Sequence, residues 1–479
     1  MLILVLTSAV LLGIFDLFAG HASTKPPRGE RLGRGIVAMR WPDGRIFLSW
    51  RLLADDPERT FFHVYRRPAD ADEAAWVPLT AVPIRHGTNY LDETAREAEA
   101  YDYQLQPLLG GVEGPFEAEI QVPAGPGKPY LSVPLDGEGE PLAVVAGDLD
   151  GDGEYELVVK RQVGDRGVLE AYRLDGSFLW RQDLASVQTP YTVFDLDGDG
   201  KAEVHTGGPD CTALYVAYGE DGEPQLISQG QGIAADVDGD GLDEIILGET
   251  ALDHDGTILW SRDLGPLSVL HVARIVAGRD GLQVFYALAD VAETGGLGLL
   301  DAATGETMWA LDEPTTGFLG PGFVADLMGD EKGMQLFATE ADGRGRVFAA
   351  DGREVRADVS AWPADMMTAF WDGMAQKALV DPRGKRVFRY PDKELLHLGD
   401  DERVLAVLDL LGDWREEIIV AAPGELRIYT TTIPSPERRV TLMQDRMYRA
   451  GAARMGMAQT SPPQESGETL KPPAPLFGW

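Results

Sequence analysis

Three copies of one acidic loop carry the clearest chemistry in the sequence. The first runs through Asp148, Asp150, Asp152, Glu154 and Glu156, and the second through Asp195, Asp197, Asp199, Lys201 and Glu203. The third runs through Asp236, Asp238, Asp240, Leu242 and Glu244. Each has Asp at loop positions 1, 3 and 5, Glu at position 9, and glycines at positions 4 and 6. Calcium takes about six to eight oxygen ligands, which these carboxylates and a backbone carbonyl near position 7 can supply. Glu154, Lys201 and Leu242 hold that seventh position, where the carbonyl and not the side chain is the ligand. An EF-hand would carry its Glu at position 12 and continue as a helix. Here position 12 is Val159, Thr206 and Leu247, and Leu157-Val158-Val159 and Glu244-Ile245-Ile246-Leu247 read as strand. The loops predict bound Ca2+ in a β-protein, against a plain alternative of metal-free Asp/Gly turns. Repeated, evenly spaced sites predict ions that clamp each unit rather than touch a substrate. Two related loops, Asp326-Leu327-Met328-Gly329-Asp330 and Asp409-Leu410-Leu411-Gly412-Asp413, have Met328 and Leu411 at position 3. That predicts no calcium there, with the Asp side chains bonded to turn amides instead.

The elements that would position these loops repeat along the chain. From about residue 140 onward the loop positions recur at intervals of about 40 to 50 residues, with several strands per unit, the signature of propeller blades. Within most units a strand, an Asp-Gly or Gly turn and another strand follow, as in Ala171–Trp180 and Ala251–Trp260. Trp180, Trp260 and Trp309 end these hairpins, and their fixed place predicts packing between units rather than stacking on sugars. Seven units can be read, and the segment ahead of Asp148 plus a C-terminal strand could form an eighth. Residues 33–123 differ in texture. Short alternating segments such as Ile46–Trp50, Phe61–Arg66 and Ala100–Leu105 between polar turns predict a β-sandwich of fibronectin-III type. The expected fold is thus all-β, a fibronectin-III-like β-sandwich followed by a calcium-binding β-propeller over 140–460. Residues 461–479 are Pro-rich and read as an unstructured tail.

Composition narrows the partners. The 479-residue chain has a formal net charge of -36, which argues against nucleic acid or an anionic membrane as a partner. Its single cysteine, Cys211, leaves no intrachain disulfide to form. The apolar run Leu2–Phe15, with Gly20, Ala22 and Ser23 behind it, reads as a signal peptide over 1–23. A secreted or periplasmic, monomeric protein with no stable membrane insertion is expected.

The order of the modules and several stretches resemble the rhamnogalacturonan lyases of polysaccharide lyase family 11. Gly35-Ile36-Val37-Ala38 to Tyr65-Arg66 resembles the family's N-terminal module, and Gly147-Asp148 to Val159-Lys160 its first blade. Gly412-Asp413-Trp414-Arg415-Glu416-Glu417 and Tyr429-Thr430-Thr431-Thr432-Ile433-Pro434 resemble its last. The resemblance implies an eight-bladed propeller with bound calcium that cleaves the rhamnose–galacturonate backbone of pectin by β-elimination, so an acidic polysaccharide is the implied partner. Several stretches depart from the family. Arg161–Gly167 replaces a longer Asn/Ser-rich insertion, Gln229-Gly230-Gln231 stands for Asn-His-Asn, and Ala458–Gln464 stands for a Tyr- and His-containing signature. A second implied reading is therefore an inactive calcium-stabilised propeller that binds glycan or a surface partner.

β-Elimination at a uronate removes the proton at C5, which becomes acidic once the adjacent carboxylate is neutralised. A base must then reach that proton. Lys160 and Arg161 sit at the end of the strand leaving the first loop, a place for a base or charge-neutraliser, with Arg161 expected to bind substrate. A solvated strand edge is the plain alternative for both. His271 fits a family position and is the other candidate base, against an ordinary buried structural histidine; His205 is a weaker candidate.

Overall fold

The computed structural model describes residues 30–467 apart from 70, 197, 208–213, 219–223, 230–231, 358, 360–361, 434, 436 and 457–460. The signal segment 1–23, Asp197 and Cys211 lie outside the described residues.

Residues 30–122 form two sheets. Val37–Arg40, Ile46–Ser49 and Asn89–Asp92 pair in that order in one. In the other, Phe61–Pro68 lies between Val77–Pro78 and Tyr101–Leu109, which also pairs with Val112–Glu113 and Glu117–Val122. Period-two alternation decides the faces: Phe62 and Val64 are buried while Phe61, His63 and Tyr65 are only half-buried. The inward side chains meet Ile46, Leu48 and Trp50 in one core, with Trp50 edge-on to Phe62 at 5.4 Å.

Beyond residue 130 the chain is a run of small antiparallel sheets in sequence order. Unit 1 is Glu140–Gly147, Glu156–Val163, Arg166–Tyr172 and Phe178–Asp183. Unit 2 is described as two strand pairs, Tyr191–Phe194 with Glu203–Thr206 and Leu214–Tyr218 with Pro224–Gln229. Units 3 to 6 are four-stranded sheets beginning at Ile233–Ala235, Leu267–Ala273, Phe318–Ala325 and Met367–Ala369. Unit 7 contains Arg403–Leu408, Glu417–Ala422 and Glu425–Tyr429, and its fourth strand is Leu131–Pro134, from ahead of unit 1. That pairing corrects the eighth unit expected from the sequence. Among the described residues the segment before Asp148 completes the seventh sheet and founds no further one, because Glu140–Gly147 is already spent as the first strand of unit 1.

The first strands pack side by side, with Leu267–Ala273 against Phe318–Ala325 and Met367–Ala369 between Phe318–Ala325 and Arg403–Leu408. Arg403–Leu408 in turn lies against Glu140–Gly147 of unit 1. Helix α1, Arg446–Ala453, packs on the first strands of units 1, 2 and 3 and is capped by Asp445, whose side chain accepts the Tyr448 amide at 3.0 Å. The hairpin tryptophans join neighbours as expected: Trp260 Nε1 donates to Ala302 O at 2.8 Å and Trp309 Nε1 to Ala350 O at 2.9 Å. Gly305 shows how close this packing is, since a Cβ there would lie 2.6 Å from the Trp260 ring. Of the tail expected over 461–479, residues 468–479 lie outside the described residues. Residues 461–467 have no regular structure, yet Pro462 and Pro463 are buried and Ser466 N and Oγ donate to Asp445 Oδ2 at 2.9 and 2.7 Å.

Candidate functional site

The three acidic loops share one geometry. The position-1 carboxylate turns inward and accepts loop amides: Asp148 takes Gly151 N at 2.7 Å and Gly153 N at 2.9 Å, and Asp236 takes Gly239 N at 2.8 Å and Gly241 N at 2.9 Å. Asp195 accepts Gly200 N at 3.1 Å. The glycines at positions 4 and 6 have φ between 73° and 95°, the left-handed region that a β-carbon disfavours. At position 9, the first residue of the next strand, Glu156, Glu203 and Glu244 each use Oε2 to accept the position-2 amide, at 2.9, 2.7 and 2.8 Å.

That position separates the loops that suit a metal from those that do not. In units 4 and 5 it is Gln283 and Gln335, whose Oε1 accepts two loop amides at 2.7 to 2.9 Å while Nε2 donates to Gly281 O or Gly333 O. Both ends of the amide are satisfied within the loop. In unit 3 Glu244 is fully buried and its Oε1 has no hydrogen-bond partner. An unpartnered buried carboxylate oxygen is costly unless a cation meets it. Ligand oxygens of Asp236, Asp238 and Glu244 converge within 4.8 Å, as do those of Asp148, Asp150 and Glu156. Burial and the neighbouring carboxylates push Glu156 up to about 7, Asp195 to about 6 and Glu244 to about 8, as in anionic clusters short of positive charge. The donor set is all oxygen, and the residues fit calcium.

The loop at Asp409 keeps the same backbone without those needs. Trp414 stands where the metal-type loops have their second glycine, with φ 63°, and Leu411 and Trp414 fill the interior. Asp409 accepts Gly412 N at 2.9 Å, as expected, while the related Asp326 takes Gln376 Nε2 at 3.3 Å rather than a turn amide. Arg415 supplies a fixed cation to Asp413, both side chains being 1% exposed. Glu416 accepts Tyr448 Oη at 2.8 Å, Lys377 Nζ at 3.0 Å and Phe370 N at 2.8 Å, and Glu417 accepts Thr430 Oγ1 at 2.9 Å. The Trp-Arg-Glu-Glu stretch thus ties units 6 and 7 to α1.

The residues nominated for chemistry do not meet at one point. Arg161 was expected to face substrate and is instead sealed at 1% exposure, paired with Glu170 at 2.6 Å and donating to the carbonyls of Asp136, Gly137 and Gly139. Strand alternation puts Lys160 on the opposite face, buried, with Nζ 3.3 Å from Thr189 O and 5.7 Å from the Tyr191 ring centre. Burial pulls its pKa down. Neither residue is on a solvated edge. His271 is also buried, its Nε2–H donating to Pro321 O at 2.9 Å and its ring stacked on Phe285. Burial, with a smaller contribution from the Arg454 charge, lowers His271 to about 4, so it is neutral at pH 7. His205 is exposed.

His271 does line a cavity of about 120 Å³ between units 3 and 4, α1 and residues 461–464. Arg454 and Gln464 line it too, and Arg454 Nε and Gln464 Nε2 are buried without a hydrogen-bond partner. Sequence reasoning missed Arg454 and met Gln464 only as the end of a stretch that departs from the family's signature. The signal for Arg454 was its place after a short helix, which shows nothing until the helix docks.

Comparison with known proteins decides the family. Residues 138–219 and 218–473 match the rhamnogalacturonan lyase family 11 C-terminal domain, and residues 28–122 the β-sheet domain of rhamnogalacturonan I lyases. The chain belongs to polysaccharide lyase family 11. Among its relatives in that family is the rhamnogalacturonan endolyase YesW of Bacillus subtilis, 30% identical over 91% of this chain and 90% of the relative. The rhamnogalacturonan exolyase YesX of the same organism is 29% identical over 94% and 97%. The crystal structure of YesW superposes with a TM-score of 0.77 at 27% sequence identity, covering 95% of this chain and all of that one. The Bacillus licheniformis family 11 rhamnogalacturonan lyase gives 0.75 at 25% identity, over 92% and 97%. The alignment with YesW runs over 584 positions against a chain of 479, so the relative carries segments that this chain lacks.

Proposed function

We propose that this protein is an exported polysaccharide lyase that cleaves rhamnogalacturonan I or a related acidic polysaccharide by β-elimination. The observation that carries the reading is Arg454, half-buried with a buried, unpartnered Nε, lining one cavity with neutral His271 in a chain of lyase lineage. Arg454 neutralises the uronate carboxylate, which makes the C5 proton acidic. Because the Nε2–H of His271 is given to Pro321 O, the lone pair of the neutral ring is on Nδ1, which accepts that proton. The C5–H electrons become the C4–C5 double bond and the C4–O bond breaks, its pair leaving with the departing sugar. Lys160 and Arg161 hold the wall of unit 1 and take no part.

Calcium in the loops, when bound, supplies positive charge that the carboxylates of units 1 to 3 lack, and so ties each first strand to the second. The run of seven units, with first strands adjacent and the last sheet closed by Leu131–Pro134, supports a seven-bladed propeller. The strand orders of the two sheets of residues 30–122 support a fibronectin-III-like sandwich. A monomer is proposed.

A second reading, a glycan-binding protein without turnover, draws on the cavity's size, since about 120 Å³ is small for a sugar residue. The test follows ultraviolet absorbance from unsaturated uronate ends during incubation with rhamnogalacturonan I and Ca2+. Steady growth in wild type, a loss of about 100-fold or more in Arg454→Gln, and retention in Lys160→Met support the lyase reading. A flat trace from folded, calcium-loaded protein supports the binding reading.

A further inference from the structure

The third acidic loop differs from the first in what the neighbouring hairpin turn brings to it. In unit 1 the turn after Arg166–Tyr172 brings Arg173 onto the loop, Nη2 lying 2.5 Å from Asp150 Oδ2 in an exposed ion pair. The same turn in unit 3, after Thr250–Leu252, carries Asp253 and His254 instead. His254 Nδ1 lies 3.4 Å from Asp240 Oδ2 and 2.7 Å from Asp253 Oδ1, yet is aligned for a hydrogen bond with neither. Ligand atoms of Asp240, Glu244 and His254 fall within 4.8 Å of one another, and Glu244 Oε1 is the fully buried, unpartnered oxygen already described. Where the turn of unit 1 sets an arginine on the position-3 carboxylate, the same turn of unit 3 sets an imidazole beside Asp240, and the cation on that loop, Arg446, is turned to Asp243 Oδ2 at 3.0 Å and Gly241 O.

We propose that Asp240, Glu244 and His254 form a divalent transition-metal site beside the calcium position of the third loop, with Glu244 shared between the two. Calcium is a hard ion that takes oxygen ligands, whereas imidazole nitrogen suits zinc, cobalt and nickel. Two ligands held about 2.0–2.2 Å from a tetrahedral ion lie about 3.4 Å apart, as Asp240 and His254 do. The carboxylates are bound in their ionised forms and the imidazole in its neutral form. The site is independent of lyase activity, since it lies on the unit 3 loop and not on the His271 cavity.

The test is titration of untagged, full-length protein with Co2+ in a large excess of Ca2+, read by visible ligand-field absorption and calorimetry. The expected result is one bound Co2+ with a tetrahedral-type spectrum. His254→Leu, the residue unit 1 has at this place, weakens it by at least about tenfold, the low end of what losing an outer-shell partner costs. Asp148→Asn in the first loop leaves Co2+ binding unchanged, and His254→Leu keeps the calcium-dependent rise in Tm, which shows that the variant is folded. Equal Co2+ affinity in wild type and His254→Leu, or no Co2+ binding in excess Ca2+, overturns the proposal and leaves His254 as a side chain that only packs beside Asp240 and Asp253.

Discussion

At the scale of single residues, the informative side chains are the polar ones buried without full satisfaction. His271 is lowered to about 4 by burial, against an ordinary value of about 6.5 in the unfolded chain. Between those two values the unfolded state binds more protons, so the stability this residue confers is complete above pH 6.5 and is lost as pH falls through 4. The pH dependence of urea unfolding should therefore show a decline of up to about 3 kcal/mol over that window that His271→Phe flattens. Arg161 makes the opposite point. Arg161→Met leaves Glu170 buried without its strongest partner and should cost about 3–5 kcal/mol in unfolding free energy, with KM for polysaccharide unchanged in the protein that remains folded. From sequence a cation at the end of a strand reads the same whether it is open or sealed. What seals Arg161 is a loop of carbonyls at 136–139, brought in from the preceding segment.

At the scale of elements, each turn between the first and second strands solves one problem: how to satisfy buried loop amides. Units 4 and 5 solve it with a neutral Gln; units 1 to 3 use Glu and leave negative charge over. Gln335→Ala should cost about 1–3 kcal/mol by stranding two amides while leaving the calcium-induced rise in Tm at its wild-type size. Glu244→Gln should do the reverse, retaining the fold and shrinking that rise. Thermal melts with EDTA and with Ca2+ separate the two. These loops were legible from sequence because a turn whose ligands lie within nine residues is written locally. That Trp414 would take a glycine's conformation was not legible, because the buried pocket that holds its ring is assembled from Phe370 and residues near 437.

At the scale of the whole molecule, two long-range seams organise the chain. Leu131–Pro134 crosses to pair with Glu425–Tyr429, and the N-terminal module is pinned on the loops of units 1 and 7. Arg51 donates to Gly153 O at 2.9 Å and covers the Tyr155 ring, Ser49 Oγ donates to Leu411 O at 2.9 Å, and Asn89 Nδ2 to Asp413 Oδ2 at 3.1 Å. Arg51→Ala should lower stability by about 2–4 kcal/mol by stranding carbonyls and removing a buried stack, and should make residues 30–122 exchange amide hydrogen faster than the rest. The two modules and the repeat were plain in the sequence, since hydrophobic period and turn residues are local. The closing strand, the docking of α1 and the cavity at His271 and Arg454 were not, since each joins residues far apart in the chain. The central claim is that this shortened family member still breaks rhamnogalacturonan by elimination. Mass spectrometry of rhamnogalacturonan I digested by the calcium-loaded protein tests it most directly. The account predicts oligosaccharides one water lighter than hydrolysis products, absent from the Arg454→Gln digest; polysaccharide left intact by folded wild-type protein would contradict it.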